Sequence, residues 1–320
     1  MSYNLLLSIC IPTYNRYEKL RPMLLQLLAC KREDFEVIVQ DNCSNDGTQN
    51  IKEDIKDSRL RLIENSKNIG GILNGYGALL NANGKYCMIC LDKDCVLGNK
   101  LEDFLKTLTE TPAISYGLCN LNVKSQNENE IYTSQEERFK FFAYIGRHPS
   151  GMFWKSQLLK NCSIIPRILN SNITFGFFTE LIFAECSSKE GNGLCYKNPL
   201  IITETPEEAA QKKTLTYDIS QIFFLPKNRI TEYKIYLGHL ELLTLNKKKS
   251  AWFRVFIRGL KITTMWYKKI MRDTLHLEHY GISPRNITTL EIIGIAVRYV
   301  ISVLFASRKK AFNGLFLEDF

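Results

Sequence analysis

The 320-residue chain has no glycine-rich phosphate loop at its strand-to-helix turns, neither G-x-G-x-x-G nor G-x-x-x-x-G-K-[ST]. That excludes a dinucleotide-binding domain and a P-loop nucleotidase, in which such loops bring backbone amides up to a phosphate. Long apolar runs are scarce as well. The segment from Ile292 to Ala306 is broken by Arg298 and falls short of the about 20 residues that cross a bilayer, so it reads as a buried or interfacial helix. Histidine is rare, with four in the chain, and the one Cys-x-x-Cys, Cys87 to Cys90, lies inside an apolar run with no second pair to complete a zinc site. Ten cysteines scattered through apolar stretches argue against a secreted disulfide scaffold and for a reducing compartment. Met1-Ser2-Tyr3-Asn4-Leu5 carries neither the basic region nor the cleavage site of a signal peptide. The expectation is a cytoplasmic protein that is not exported.

With 45% hydrophobic and 23% charged residues the composition is that of a globular protein. Its formal charge of +9 is unevenly placed: from Lys247 to Phe320 there are 14 Lys and Arg against five Asp and Glu, so the whole excess belongs to this last part. A localised basic segment rich in aromatics predicts contact with an anionic membrane surface or an acidic partner rather than nucleic acid.

Periodicity predicts a strand over Leu5 to Ile11, a helix from Tyr17 to Ala29, and a strand over Phe35 to Gln40. A short strand from Arg59 to Glu64, a helix from Ile72 to Asn81 and an apolar strand from Tyr86 to Leu91 follow. Strand and helix alternate, which predicts a mainly parallel sheet with right-handed crossovers and a ligand site at the carboxyl ends of its strands. Pro12 to Arg16, Asp41 to Thr48 and Asp92 to Cys95 fall on that edge, with Asn65 to Gly71 beside them. The carboxylates of Asp92 and Asp94 at a strand tip suit a hard divalent cation and sugar hydroxyls, although an Asp-x-Asp triplet alone equally describes a solvated turn.

Four successive segments carry a resemblance. They are Ser8-Ile9-Cys10-Ile11-Pro12-Thr13-Tyr14-Asn15-Arg16, Val37 to Thr48 with Asp41 at its centre, Asn68-Ile69-Gly70, and Leu91-Asp92-Lys93-Asp94. In this order and spacing they resemble the motifs of the family 2 glycosyltransferases of bacterial surface-polysaccharide type, over about the first third of the chain. The resemblance implies an α/β fold of the GT-A class, with residues 1–217 as catalytic domain, 1–98 its donor half and 99–217 its acceptor half. Residues 218–320 form a helical, basic extension.

The resemblance also implies a nucleotide-sugar site and a divalent metal, Mn2+ or Mg2+. Pro12, Thr13, Tyr14 and Asn15 would line the nucleoside pocket, with Asn68 beside them. Asp41 would accept from the base, most simply uracil N3–H of a UDP-sugar; Asp92 would meet ribose or sugar hydroxyls; Asp94 would hold the metal. Asp46 is a ligand candidate and also a plain helix cap or turn residue before Gly47. His148, in His148-Pro149-Ser150-Gly151, is a candidate acceptor or diphosphate contact.

An inverting transfer needs a base for the acceptor hydroxyl. Many relatives have Glu-Asp where this chain has Thr179-Glu180, so Glu180 is the candidate, Glu185 the reserve, and a helix-terminal carboxylate favoured by the dipole the alternative. Thr203 to Tyr217 reads as a segment folding over the donor or as an exposed linker. From about Ile219 the pattern is helical, with Arg254, Arg258, Lys261, Lys268 and Arg272 on one line of the wheel and Trp252, Phe256, Leu260 and Ile270 opposite. That helix, with Arg308-Lys309-Lys310, reads as peripheral attachment at the inner membrane face or, equally, as a helix packed on the catalytic domain with a solvated basic face. The acceptor implied is a glycan or lipid-linked glycan. Two rivals remain at this point: a nucleotide-sugar nucleotidyltransferase, whose Gly-rich basic loop is missing here, and a non-catalytic binding subunit that retains the fold.

Overall fold

Leu7–Thr13 (β1) and Phe35–Asp41 (β2) lack the alternation of a half-exposed strand. In the computed structural model of the chain both are buried along nearly their whole length, as strands covered on both faces must be. The structure describes residues 5–142, 148–169, 178–189, 191–205, 222, 224–273, 277 and 280–305. Contacts among them define two compact units. One draws on Met1–Arg138, Gly146–Leu169 and Lys189–Glu204, the other on Phe139–Ile145, Asn170–Ser188 and Thr205–Phe320.

The first unit is built on one sheet. Its remaining strands are Leu60–Glu64 (β3), Tyr86–Ile89 (β4), Cys95–Val96 (β5), Ile114–Leu121 (β6), Glu130–Tyr132 (β7), Met152–Lys155 (β8) and Asn192–Ile202 (β9). The order is β3-β2-β1-β4-β8-β6-β9-β5, with β7 paired to an earlier stretch of β9 than β5. β3, β2, β1 and β4 run parallel. β8 is antiparallel to both β4 and β6, so the expected parallel sheet holds for the first half and becomes mixed in the second. The helices Tyr17–Leu28 and Gly98–Glu110 supply Leu20, Leu24, Leu27, Leu101, Leu105 and Leu108 to the apolar core beneath the sheet. Phe104 packs edge-on to Phe153 and Tyr196 there, with ring centroids 5.3 and 4.9 Å apart.

The apolar runs Leu194-Cys195-Tyr196 and Leu200-Ile201-Ile202 belong to one strand of 11 residues, β9. It passes through Pro199, which has no amide to give a ladder, by way of an irregularity in its pairing with β6 between Cys119 and Leu121. Asn129 receives the Lys197 amide there and carries the strand through. Cys87 and Cys90 lie buried within and just after β4, where their thiols donate to the carbonyls of Trp154 and Leu91.

The second unit is helical in its described residues. Helices span Phe178–Ser188, Pro226–Leu242, Lys248–Lys261 and Thr289–Leu304, and a π-turn at Ile262–Trp266 carries the third on to Ile270. Phe256 and Ile270 are buried and Arg254, Arg258, Lys261 and Arg272 exposed, as the wheel predicts. Gly259 allows a close crossing, because a Cβ there would collide with the Tyr299 hydroxyl and the Tyr233 ring. Buried Arg229 is paired with Glu232 at 2.5 Å and lies under the Trp266 ring. The Thr289–Leu304 helix opens with a capping box, Thr288 and Glu291 exchanging hydrogen bonds. Arg308-Lys309-Lys310, Phe175 to Phe177 and the stretch from residue 206 to Tyr217 lie outside the described residues.

Four parallel strands must hold one register, and a buried carboxylate ties them at their amino ends. Glu36 of β2 accepts from Ser8 Oγ of β1 at 2.6 Å, from the Arg61 guanidinium of β3 at 2.8 Å, and from the Asn83 amide before β4 at 2.8 Å. Ser8 Oγ in turn receives the Gly84 amide. Burial alone would push the Glu36 carboxyl up, but the bonds from Ser8, Arg61 and Asn83 outweigh it and hold it below its ordinary value of 4.5. Glu36→Gln should therefore cost about 2 kcal/mol of unfolding free energy at pH 7. Since the folded-state value is the lower one, that stability is present above 4.5 and is lost as pH falls through the folded value. Denaturant titrations of parent and variant should converge in acid.

Candidate functional site

β1, β2 and β4 end at one edge of the sheet, and the register pairs Thr13 with Asp41 there. Each following loop turns sharply through a left-handed residue, Asn15 at φ 51° after β1 and Cys43 at φ 66° after β2. The loops are stitched together: the Asn15 amide donates to Ser44 Oγ at 2.8 Å, and the Asn45 amide to Asn15 Oδ1 at 2.9 Å. Pro12 is half-buried and the Tyr14 ring is 44% exposed at the rim.

Asp41 is buried, with Ser44 bound to both oxygens, Oγ to Oδ1 at 2.5 Å and the amide to Oδ2 at 3.2 Å. Next to it, a cluster of amide side chains fixes the Asn65 to Gly71 turn. Asn42 accepts from the Ile69 amide and from Asn65, and donates to Asn68 Oδ1 at 2.7 Å. Buried Asn74 donates to the carbonyls of Gln40 and Thr13, joining the ends of β2 and β1. Asn68 thus stands at the same edge as Thr13 and Asp41.

Asp92 receives the Thr13 hydroxyl at 3.0 Å, and the Arg16 guanidinium lies 3.4 Å from the same oxygen. Asp94 is more deeply set. Its Oδ2 accepts from Ser150 Oγ at 2.5 Å and its Oδ1 from the Glu204 amide at 3.2 Å. Ser150 also receives the Leu91 amide, and Gly151 after it, at φ 85°, makes the turn that aims this serine. His148 Nδ1 lies 3.5 Å from Asp94 Oδ2 and accepts the Ser150 amide. Burial lowers the His148 pKa below its ordinary 6.5, with Asp94 opposing and Lys93 assisting, so the ring is neutral at pH 7.

Carboxylate oxygens with one imidazole nitrogen form a donor set that fits Mn2+ or Mg2+. Among the described residues no three His, Cys, Asp or Glu side chains converge on one point. Asp94 and His148 do meet, and one or two protein ligands beside substrate phosphates is the usual share for such cations.

Asp46 has both oxygens engaged, Oδ2 with the Tyr17 amide at 2.8 Å and Oδ1 with the Thr48 amide and hydroxyl. It caps the helix that opens at Tyr17 and closes its own turn. Burial opposes, but these bonds hold its carboxyl below the ordinary range. Glu180 and Glu185 belong to the second unit, on the helix Phe178–Ser188, with Glu180 0% and Glu185 3% exposed. Glu180 is near enough to Tyr233 to raise the phenol's pKa, after burial, the main cause.

Sequence reading assigned no place in the site to Ser44, Ser150 or Arg16, which engage Asp41, Asp94 and Asp92. An Asp-x-x-Ser spacing signals the first; Ser150 is 56 positions from its partner and leaves no local pattern.

The sequence profile of glycosyl transferase family 2 matches residues 8–173, just over half the chain. Abequosyltransferase RfbV of Salmonella typhimurium is 33% identical over 121 residues, 36% of this chain and 36% of that protein. The chain spans between 36% and 61% of the length of the curated relatives it matches. The structure of S. aureus TarS 1–349 in complex with UDP-GlcNAc superimposes with a TM-score of 0.59 at 15% identity, over 96% of this chain and 84% of that one. Mannosyltransferase PcManGT from Pyrobaculum calidifontis, in complex with GDP-Man and Mn2+, gives 0.51 at 15% identity, over 96% and 86%. At such identities the likeness is one of fold, and the fold is the GT-A architecture that the four motifs imply. On the match of its profile across strands, loops and the Asp92 to Asp94 turn, the chain belongs to glycosyl transferase family 2.

Proposed function

We propose that the protein is an inverting, metal-dependent glycosyltransferase that moves one sugar from a nucleoside diphosphate donor, a UDP-sugar, to a glycan or lipid-linked glycan acceptor in polysaccharide assembly. The observation that carries this reading is the meeting of Thr13, Asp41, Asp92 and Asp94, with Asn68 and His148, at the carboxyl edge of β1, β2 and β4.

The loops from Pro12 to Asn15 and around Asn68 form the nucleoside wall, with the exposed Tyr14 ring available to a base and Asp41 accepting its N–H. Ser44 leaves each Asp41 oxygen a further lone pair for that contact. Asp92, held by Thr13 and Arg16, takes ribose or sugar hydroxyls. Asp94 and His148 hold a divalent cation, which supplies positive charge to the departing diphosphate. Ser150 and the Glu204 amide occupy one lone pair on each Asp94 oxygen and orient the rest. The Mn2+ in the PcManGT complex and the UDP-GlcNAc in the TarS complex support this class of metal and donor.

Glu180 is the proposed base for the acceptor hydroxyl, with Glu185 in reserve. The C-terminal helices, which hold the basic excess, are proposed to contact an anionic membrane surface at the inner face, where a lipid-linked acceptor lies. Among the described residues no helix is long and apolar enough to cross a membrane.

A screen of nucleotide sugars for Mn2+-dependent protection against thermal unfolding tests the donor site, because ligand bound only by the native state raises its stability. One UDP-sugar should raise Tm with Mn2+ and much less with chelator. Asp94→Asn should abolish that protection while keeping the parent's Tm without ligand; undiminished protection would remove the metal assignment. Glu180→Gln should retain protection and reduce transfer by about 100-fold or more. Transfer at the parent's rate would move the base elsewhere.

A further inference from the structure

The wheel offered membrane contact as one reading of the helix around Arg254 to Arg272, whose apolar side holds Phe256 and Ile270. Those two side chains are buried within the second unit and are unavailable to a membrane. The longest outward-facing apolar stripe is on another helix. Along Thr289–Leu304 and its C-cap, Leu290 is 81% exposed, Ile293 53%, Val297 50%, Ile301 53% and Phe305 80%. Spaced three, four, four and four residues apart, they form one stripe about 120° wide. Tyr299 and Val303, on the opposite side, are the buried residues of this helix. An exposed stripe of five large hydrophobic side chains marks an interaction surface rather than scattered surface apolarity.

Charge and length identify the occupant. Residues 247–305 contain eleven Lys and Arg against three Asp and Glu. One of those acids, Glu291, is already paired with Arg285 at 2.6 Å. The neighbouring helix, joined to this one through Tyr299 on the Phe256 carbonyl, exposes Arg254, Arg258 and Lys261 beside Phe253 and Ile257. Arg298, flanking the stripe, has a stem long enough to lie along apolar surface with its head in water. At 16 residues the helix is about 24 Å long, shorter than the about 30 Å hydrocarbon core, so it suits lying in the membrane plane. A second copy of the chain is a poorer occupant. One helix face offers a few hundred Å² against the about 800 Å² per partner of a stable complex, and would bring two cationic units together.

We propose that the helix Thr289–Leu304 is a monotopic membrane anchor, its Leu290, Ile293, Val297, Ile301 and Phe305 face seated at the headgroup boundary of an anionic bilayer. The neighbouring cations supply the electrostatic attraction. This deepens the anionic-surface contact proposed above and rests on it.

Flotation of the full-length protein with vesicles of phosphatidylcholine alone, or with about a third phosphatidylglycerol, separates the two. The parent should float with the anionic vesicles, and Ile293→Glu/Ile301→Glu should lower its partitioning at least about tenfold, the loss expected from two isoleucines kept in water. Both positions are exposed, so the parent's Tm should be retained. Arg254→Glu/Arg258→Glu should weaken binding in low salt only. Ile301→Trp should add blue-shifted emission when anionic vesicles are present. A parent that does not float overturns the membrane contact as a whole. Equal flotation of parent and Ile293→Glu/Ile301→Glu overturns only the anchor. A lipid-free dimer that this double variant dissolves assigns the face to a second copy and also overturns the anchor.

Discussion

Everything at the carboxyl edge of the sheet depends on the alignment of four parallel strands, and the bond that sets it lies at their other end. Parallel ladders have evenly spaced, slanted hydrogen bonds, so slipping by two residues would preserve inward and outward faces and many backbone bonds. Glu36 blocks that slip. Its carboxylate reaches β1 through Ser8, β3 through Arg61 and the turn into β4 through the Asn83 amide, and on β1 no hydroxyl stands two residues either side of Ser8, where the chain has Leu6 and Cys10. Strand length then carries the alignment across the sheet to Thr13 and Asp41.

Once the ends are level, the site is organised by short polar side chains rather than by the carboxylates alone. Each acidic residue at the edge has a neutral or cationic companion: Ser44 of its own loop for Asp41, and from other loops Thr13 and Arg16 for Asp92 and Ser150 for Asp94. Packed carboxylates repel one another, and such companions offset that repulsion. The asparagine cluster around Asn42 and Asn74 does the same for carbonyls and amides exposed where strands end.

The first half of this architecture was legible in the sequence because its signals are local. Unbroken apolar runs such as Ile9-Cys10-Ile11 and Val37-Ile38-Val39 name their strands, and Pro12-Thr13-Tyr14-Asn15 and Asp41 to Gly47 name the turns. The residues at the carboxyl edge could be listed for the same reason. What escaped depends on distance in sequence. Nothing near Ser150 indicates that its hydroxyl meets Asp94, and Pro199 reads as a strand break unless the irregular pairing of β9 is known. Asp46 illustrates a different difficulty: its composition fits ligand and cap alike, and only its bonds to Tyr17 and Thr48 show the structural role. In the helical unit, amphipathicity identified the helices but not which of two apolar faces the unit keeps for its own core.

The ten cysteines, a compositional oddity at first sight, have a practical meaning once located. Eight are buried, Cys95 is partly covered and Cys43, at the tip of the loop after β2, is exposed. Burial pushes the thiols of Cys10, Cys90 and Cys119 far up and that of Cys87 to about 12, leaving almost no thiolate to react. The native chain therefore presents one exposed sulfur two residues from Asp41, while the buried ones report opening of the core. Thiol labelling could follow ligand occupancy at that loop and global stability in one sample, without an added probe.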